Sequence, residues 1–219
     1  MQSNNKYWNE VYKNIKNKDI IFDLWLDKFQ DILEKHKNDV ILDLGCGSGA
    51  DSLYLIERGY KNIIACDNSE EALEVVKKNI PDVKVLNVDV SYNIPFENES
   101  IGMIIADLSL HYFNEKTTKN ILKEIKRILK DDAVLICRVN SLNDFNYGSN
   151  KGKEIEKHFY LTNAGYKRFF NEDDIKYFFS DWKLKYCKED KMCRYGAEKR
   201  SFEVVVVKRN IYNSEIESM

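Results

Sequence analysis

VILDLGCGSGADSLYLIERGYKNIIACD, residues 40–67, is the stretch whose reading decides the fold. Residues 40–44 form a short apolar run of strand length. Gly45, Gly47 and Gly49 then punctuate a tight turn, residues 51–59 carry helical spacing, and residues 63–67 are a second apolar run. Strand, glycine turn, helix and strand in succession begin a parallel sheet wound with helices. Glycines let a backbone pass close to a ligand, and a helix starting at such a turn presents unpaired amides to polar ligand atoms. The spacing is GxGxG followed by Ala50, which departs from the GxGxxG dinucleotide fingerprint.

Working outward, the alternation continues. The spacing predicts a helix over 70–79, strands over 83–88 and 101–106, a helix over 115–130 and a strand over 133–139. A further helix is expected over 172–179, with strands near 183–188 and 202–208. Before the first strand, FDLWLDKFQDILEKH reads as a helix, so residues 1–37 are expected to form a helical cover. Residues 140–171 are the least regular interval and read as a substrate-side loop or cover without a fold of its own. The expectation is an α/β chain with one domain over 1–219: a cover at 1–37, a core at 38–139, the substrate side at 140–171, and C-terminal helix and strands at 172–219.

The composition narrows the function classes. Hydrophobic residues make up 43% of the 219 and charged residues 32%, which suits a folded domain with a soluble surface. With 34 basic against 36 acidic side chains, the net charge of -2 supplies no global attraction for nucleic acid or an anionic membrane. Five cysteines, Cys46, Cys66, Cys137, Cys187 and Cys193, have no CxxC spacing, which favours reduced thiols and a cytoplasmic location. The start MQSNNKYWNEVYKN lacks the apolar segment of a signal peptide, and no apolar run approaches the roughly 20 residues needed to span a membrane. His36, His111 and His158 form no tight ligand pattern with cysteines or acids, so no metal is expected.

Two acids beyond the glycine turn point to adenosine. Asp67 ends the second strand 22 residues after Gly45, where a carboxylate can accept from two neighbouring ribose hydroxyls, with Asn68 beside it. The plainer alternative is an Asp capping the next helix. Asp89 sits at another strand end, placed to accept from an adenine amino group while Val88 or Val90 packs on the ring.

Together these residues resemble the class I S-adenosylmethionine-dependent methyltransferases, nearest the small-molecule members of the TehB-like or methyltransferase type 11 and 25 kinds. VILDLGCGSG is similar to the family's first cofactor motif, Asp67 to its ribose acid, Asp89-Val90 to its adenine region and ADL at 106–108 to its segment after the fourth strand. The resemblance implies a Rossmann-like sheet of seven strands, mostly parallel, ordered 3-2-1-4-5-7-6 with the last-numbered strand antiparallel and helices on both faces. It implies S-adenosylmethionine as cofactor, S-adenosylhomocysteine as product, and direct displacement onto a small-molecule acceptor. Carried over by resemblance, residues 38–139 bind the cofactor. Asp43 orients the glycine turn or meets the methionine amino group, and Gly45, Cys46, Gly47 and Gly49 pass the methionine and ribose. Asp67 with Asn68 holds the ribose and Asp89 with Val90 the adenine, while Asp107 and Leu108 border the methionine. Tyr7, Trp8 and Tyr12 resemble an amino-terminal aromatic segment that closes over the cofactor in small-molecule enzymes; packing in the core is the alternative.

On the acceptor side, His111 follows the fourth strand and is the best histidine for a base or an orienting hydrogen bond. Tyr147, Tyr160, Arg168 and Phe169 are candidate acceptor contacts, although Arg168 suits structural pairing equally well. Two other functions stay open. Lys and Arg over 183–200, interspersed with Trp182, Tyr186 and Tyr195, suit nucleic acid, but acids interrupt them and ADLSL at 106–110 departs from the DPPY and NPPY motifs. A noncatalytic cofactor-binding regulator or assembly subunit is the other. A monomer or a homodimer is expected, with no membrane partner.

Overall fold

A computed structural model describes residues 5–15, 20–192 and 196–208. Cys193 and Tyr195 therefore lie outside the described residues. In chain order the elements begin with α1 (Asn5–Ile15), a 3-10 turn at Trp25–Phe29, α2 (Gln30–Lys35), β1 (Ile41–Leu44), α3 (Ala50–Glu57), β2 (Ile63–Asp67), α4 (Glu70–Asn79) and β3 (Lys84–Asn87). They continue through β4 (Ile101–Asp107), α5 (Glu115–Ile128), β5 (Leu129–Asn140), β6 (Lys153–Glu156), β7 (Phe159–Thr162) and β8 (Gly165–Arg168). The last three are α6 (Glu172–Phe178), β9 (Trp182–Met192) and β10 (Lys199–Lys208).

Seven of the strands form one sheet in the order β3-β2-β1-β4-β5-β10-β9. The pairs β1 with β2, β1 with β4, β2 with β3 and β4 with β5 are parallel, whereas β10 runs antiparallel to β5 and to β9. Numbered within this sheet alone, the order is the 3-2-1-4-5-7-6 that the sequence resemblance implies.

Strand alternation builds two cores. Leu42 and Leu44 of β1, Ile104 and Ala106 of β4, and Val204 and Val206 of β10 face α5 and α6, meeting Ile121, Ile125, Ile128, Ile175 and Phe178. Ile41, Ile105 and Val205 face the other way, against Leu33 of α2, Leu55 of α3 and Leu73 and Val76 of α4. Each fully buried Leu or Ile contributes roughly 1.5–3 kcal/mol, so the central strands cannot leave the sheet without losing both layers. Polar side chains start the helices: Ser69 accepts from the Ala72 amide before α4, Asn114 from Thr117 before α5, and Asn171 forms a reciprocal capping box with Asp174 before α6.

Two differences from the sequence reading have physical reasons. The helix expected to reach residue 130 stops at Ile128, because Leu129 is already extended and pairs with Ile101 as the start of β5. The interval 140–171 is more regular than expected. Its β6, β7 and β8 make a separate antiparallel sheet of three strands, joined at the tight turn between Thr162 and Gly165. Each strand is only four residues long, too short for a period to stand out in sequence. The small sheet is anchored by Phe159, Phe169 and Phe170, all buried.

Candidate active site

The carboxyl ends of β1 and β4 lie where the strand order reverses, the place at which open α/β sheets bind ligands. There the chain leaves β1 through Gly45, whose φ is +76° and where a Cβ would lie 2.3 Å from the Cβ of Ser109. Only glycine fits that approach. The amides of Gly45 and Cys46 both donate to the Cys66 carbonyl, at 2.7 and 2.9 Å, and so tie the turn to β2. At Gly47, with φ of +55°, a Cβ would stand 2.4 Å from the Tyr12 hydroxyl. Gly49 leads directly into α3.

Asp67 braces this turn. One carboxylate oxygen accepts from the Gly47 amide at 2.9 Å and the other from the Ser69 amide at 2.9 Å. Burial raises its pKa above the ordinary aspartate value, while the amides of Ser69, Gly47 and Asn68 oppose that rise. The Asn68 carbonyl accepts from Asn5 and Asn87. At the end of the next crossover, Asp89 accepts from both the amide and the hydroxyl of Ser91, at 2.9 and 2.6 Å, and Val90 packs against the core on the α5 side.

Two other acids take partners that sequence reasoning did not foresee. Asp43 is buried and binds the Ser52 amide at 3.1 Å and hydroxyl at 2.6 Å, fastening β1 to the first turn of α3. Burial, with Asp107 and Asp67 nearby, pushes its carboxyl up to about 7 against the pull of Ser52. Asp107 is held in a two-pronged ion pair by Arg138, at 2.6 and 2.8 Å, and Leu108 after it has φ of +53°. Arg138 also reaches Asp23 at 2.7 and 3.2 Å and lies over the Trp25 ring. Trp25 in turn donates to Asp51 at 2.8 Å, and burial holds that carboxyl well above the ordinary range. Of this network only Asp107 was singled out from sequence. Arg138 did carry a signal, a lone cation inside the apolar run of residues 133–139.

Helix α1 lies across the site. Asn9 accepts from the Ser69 hydroxyl at 2.6 Å, Trp8 stacks on Tyr12 at 5.7 Å, and the Trp8 edge meets Tyr112 at 5.7 Å. Tyr112 touches His111, with ring centroids 4.3 Å apart, so aromatic contact runs from the cover to the acceptor side. Tyr7 lies against Trp8 but is 43% exposed, which makes it the outer edge of the cover.

His111 is buried and its Nδ1 has no hydrogen-bond partner. Burial, reinforced by the charges of Lys199 and Lys167, holds its basicity well below the histidine norm, so the ring is neutral at pH 7. The other acceptor-side candidates divide. Tyr147 lies beneath the Lys199 ammonium, 4.8 Å from the ring centre. Tyr160 and Phe169 pack together within the small sheet, with Phe169 fully buried. Arg168 binds Glu156 at 2.8 Å and the Lys157 carbonyl at 3.0 Å, between the rings of Phe159 and Phe178. Its partners are those of a structural clamp, because Glu156 also caps the first amide of α5. Of the remaining histidines, His158 pairs with Asp174 and His36 with Asp39. Among the described residues no group of three or more His, Cys, Asp or Glu side chains is placed to hold a metal, and Cys46, Cys66, Cys137 and Cys187 are free thiols. Among the same residues, no helix is long and apolar enough to cross a membrane.

Residues 41–132 match a family described as a methyltransferase domain. Over 111 residues the chain is 35% identical to an uncharacterised methyltransferase of Schizosaccharomyces pombe, covering 51% of this chain and 41% of that protein. It is 24% identical over 214 residues to a tRNA N(3)-methylcytidine methyltransferase of the same yeast, covering 89% of this chain and 67% of that one. Curated relatives such as the first are matched over two-fifths to half of their own length. Among solved structures, the Burkholderia thailandensis 1,6-didemethyltoxoflavin-N1-methyltransferase, bound to its acceptor and S-adenosylhomocysteine, superposes with a TM-score of 0.64 at 17% identity, covering 96% of this chain and 92% of that one. Strand order and glycine turn agree: the chain has the class I S-adenosylmethionine-dependent methyltransferase fold, and its residues 41–132 are similar to the methyltransferase domain family.

Proposed function

We propose that the protein transfers a methyl group from S-adenosylmethionine to a small-molecule acceptor. The observation that carries this reading is the pairing of the glycine turn with Asp67. The turn comes so close to Ser109 that a side chain at Gly45 has no room, the Tyr12 hydroxyl crowds Gly47, and Asp67 stands at its rim as a half-buried acceptor. An ionised carboxylate offers about four lone-pair positions. The amides of Gly47 and Ser69 take two, leaving acceptor capacity for a ribose diol. Asp89 with Val90 suits the adenine edge and face, and the aromatics of α1 suit a sulfonium, whose positive charge favours a ring face.

When bound, the cofactor supplies an electrophilic methyl group on a sulfonium, so the protein's task is alignment and exclusion of water. Trp8 and Tyr12 on α1 perform the exclusion. Neutral His111 acts at the acceptor as a hydrogen-bond partner that orients it and accepts its proton. Asp107 and Asp43 act one step back: paired to Arg138 and Ser52, they set the rim of the site.

A nucleic-acid acceptor is the second reading, supported by the tRNA-modifying relative. Against it, cations of the β9–β10 region meet acids, with Lys191 and Arg200 paired to Glu198, and two acids of these strands, Asp190 and Glu203, add negative charge that holds Lys28 of the 3-10 turn. Acids at Glu189, Asp190, Glu198 and Glu203 interrupt the positive surface that a phosphate backbone would need there. The free cysteines suit a reducing compartment, and we take the cytoplasm as the location.

Calorimetry with S-adenosylhomocysteine, followed by a radiolabelled methyl-transfer screen of small molecules and total tRNA, tests the proposal. Selective binding with label in a small molecule is the expected result. Label in tRNA alone favours the second reading, and binding without transfer to any acceptor leaves the regulator. Absence of binding to folded protein refutes all three.

A further inference from the structure

Beside the cofactor turn, at the ends of β5, β8 and β10, the structure gathers an unusual excess of buried hydrogen-bond donors. Asn140 is fully buried, and its Nδ2 has no partner. Its Oδ1 accepts from Lys199 at 2.7 Å, and the same ammonium donates to Asp144 at 2.7 Å. Lys199 is itself buried. An ammonium has three donors; two go to Asn140 and Asp144, and the third has the face of the Tyr147 ring 4.8 Å away in place of an oxygen acceptor. Lys167 on β8 adds a second cation, whose hydrogen bond among the described residues is a long one of 3.4 Å to the Tyr147 carbonyl.

The Lys199 charge disfavours that of Lys167, and both bear on His111, whose buried Nδ1 has no partner either. The charges opposing them are Asp144 and, further off, Asp107. Asp107 is already neutralised by Arg138. Two cations, Lys199 buried and Lys167 half-buried, therefore share the single carboxylate of Asp144, whose oxygens already accept from Lys199 and from the Arg200 amide, an arrangement that costs free energy unless a second anion completes it. Unpaired buried donors such as the Asn140 amide add to that cost. A neutral, donor-rich ligand would leave both demands unmet. An anionic oxygen group meets them together, accepting from Asn140, Lys199 and Lys167 in one step.

Resting on the methyltransferase reading, we propose that the methyl acceptor is a carboxylate-bearing small molecule whose anionic oxygens dock on Lys167, Lys199 and Asn140, with His111 beside it. The three donors lie on different elements, β8, β10 and β5, so they fix orientation as well as charge. His111, neutral between two cations, is then placed to receive a proton from the accepting atom without competing for the carboxylate.

The test uses the full chain loaded with S-adenosylhomocysteine, titrated calorimetrically with three matched pairs: benzoate and benzamide, 4-hydroxybenzoate and 4-hydroxybenzamide, phenylacetate and phenylacetamide. At least one acid is expected to bind ten-fold or more tightly than its amide. That preference is expected to collapse in Lys167→Met and return in Lys167→Arg. Lys167 is only partly buried and is not the main partner of Asp144, so this variant tests the site without stripping a buried ion pair. An unchanged melting temperature and S-adenosylhomocysteine affinity in Lys167→Met establish that the fold is intact. If no acid outbinds its amide in the loaded protein, or if the preference survives in Lys167→Met, the proposal is overturned while the methyltransferase reading stands. If S-adenosylhomocysteine itself fails to bind, the methyltransferase reading fails first and this one with it.

Discussion

Replacing Asp67 with alanine separates its structural duty from its proposed duty as ribose acceptor. In the folded chain the carboxylate accepts from the Gly47 and Ser69 amides at 2.9 Å each. Hydrogen bonds to a charged group are worth about 1.5–3 kcal/mol each. Both amides border a site that water can enter in the variant, so the stability loss is expected at the low end, about 1–3 kcal/mol. A ribose diol adds two further bonds to the same carboxylate, about 3–6 kcal/mol together by the same measure. Since every 1.4 kcal/mol is tenfold in affinity, the S-adenosylhomocysteine dissociation constant is expected to rise about 100-fold or more. Asp67→Asn, which keeps one acceptor oxygen, is expected to fall between. The measurement is isothermal titration of each variant after thermal melting and circular dichroism have shown it folded. A pH series adds a signed check. The diol is held by the ionised form, and burial raises the Asp67 pKa, so affinity is expected to fall as pH drops through a value above the ordinary aspartate one. A folded Asp67→Ala protein whose affinity is within threefold of the parent would refute the ribose assignment.

Arg138→Met leaves Asp107 buried without its main cation and is expected to cost about 3–5 kcal/mol in urea unfolding; a loss under 1 kcal/mol would mean that Asp23 and Asp107 are solvated instead. Asp43 has a folded value of about 7 against about 3.9 when unfolded. The folded state therefore keeps a proton that the unfolded state releases, so its contribution to stability declines as pH rises from about 4 to 7. In Asp43→Asn, urea midpoints between pH 5 and pH 8 are expected to show a flatter decline, and an identical slope would count against the assignment. Gly45→Ala places a Cβ 2.3 Å from the backbone-anchored Cβ of Ser109 at a positive φ. It is expected to lose about 2–4 kcal/mol, combining left-handed strain and overpacking. Gly47→Ala meets only the mobile end of Tyr12, so it is expected to lose less stability. Equal melting temperatures for the two variants would refute that distinction.

Local signals were enough for the sheet's cofactor half. The apolar runs at 40–44 and 63–67, the glycines between them and the helix at 70–79 are set by backbone propensity and a period of two or 3.6 residues, which a linear sequence displays. Gly45 and Asp67 were legible for the same reason, since one marks a turn and the other a strand end. What only the tertiary structure decided is pairing between distant elements. Asp107 looks like a ligand-facing acid until Arg138, on the neighbouring strand, claims both of its oxygens. Arg168 suits an acceptor contact and structural pairing equally in sequence, and only the fold shows Glu156 and two rings around it. Lys199 sits in a basic run that in sequence suits a nucleic-acid surface, yet the antiparallel register of β10 on β5 brings it to Asn140 and buries it. A charge alone does not reveal whether it meets water or another charge. That depends on register and layer packing, and in this protein those place the unpaired Asn140 amide and the ammonium groups of Lys199 and Lys167 beside a neutral histidine.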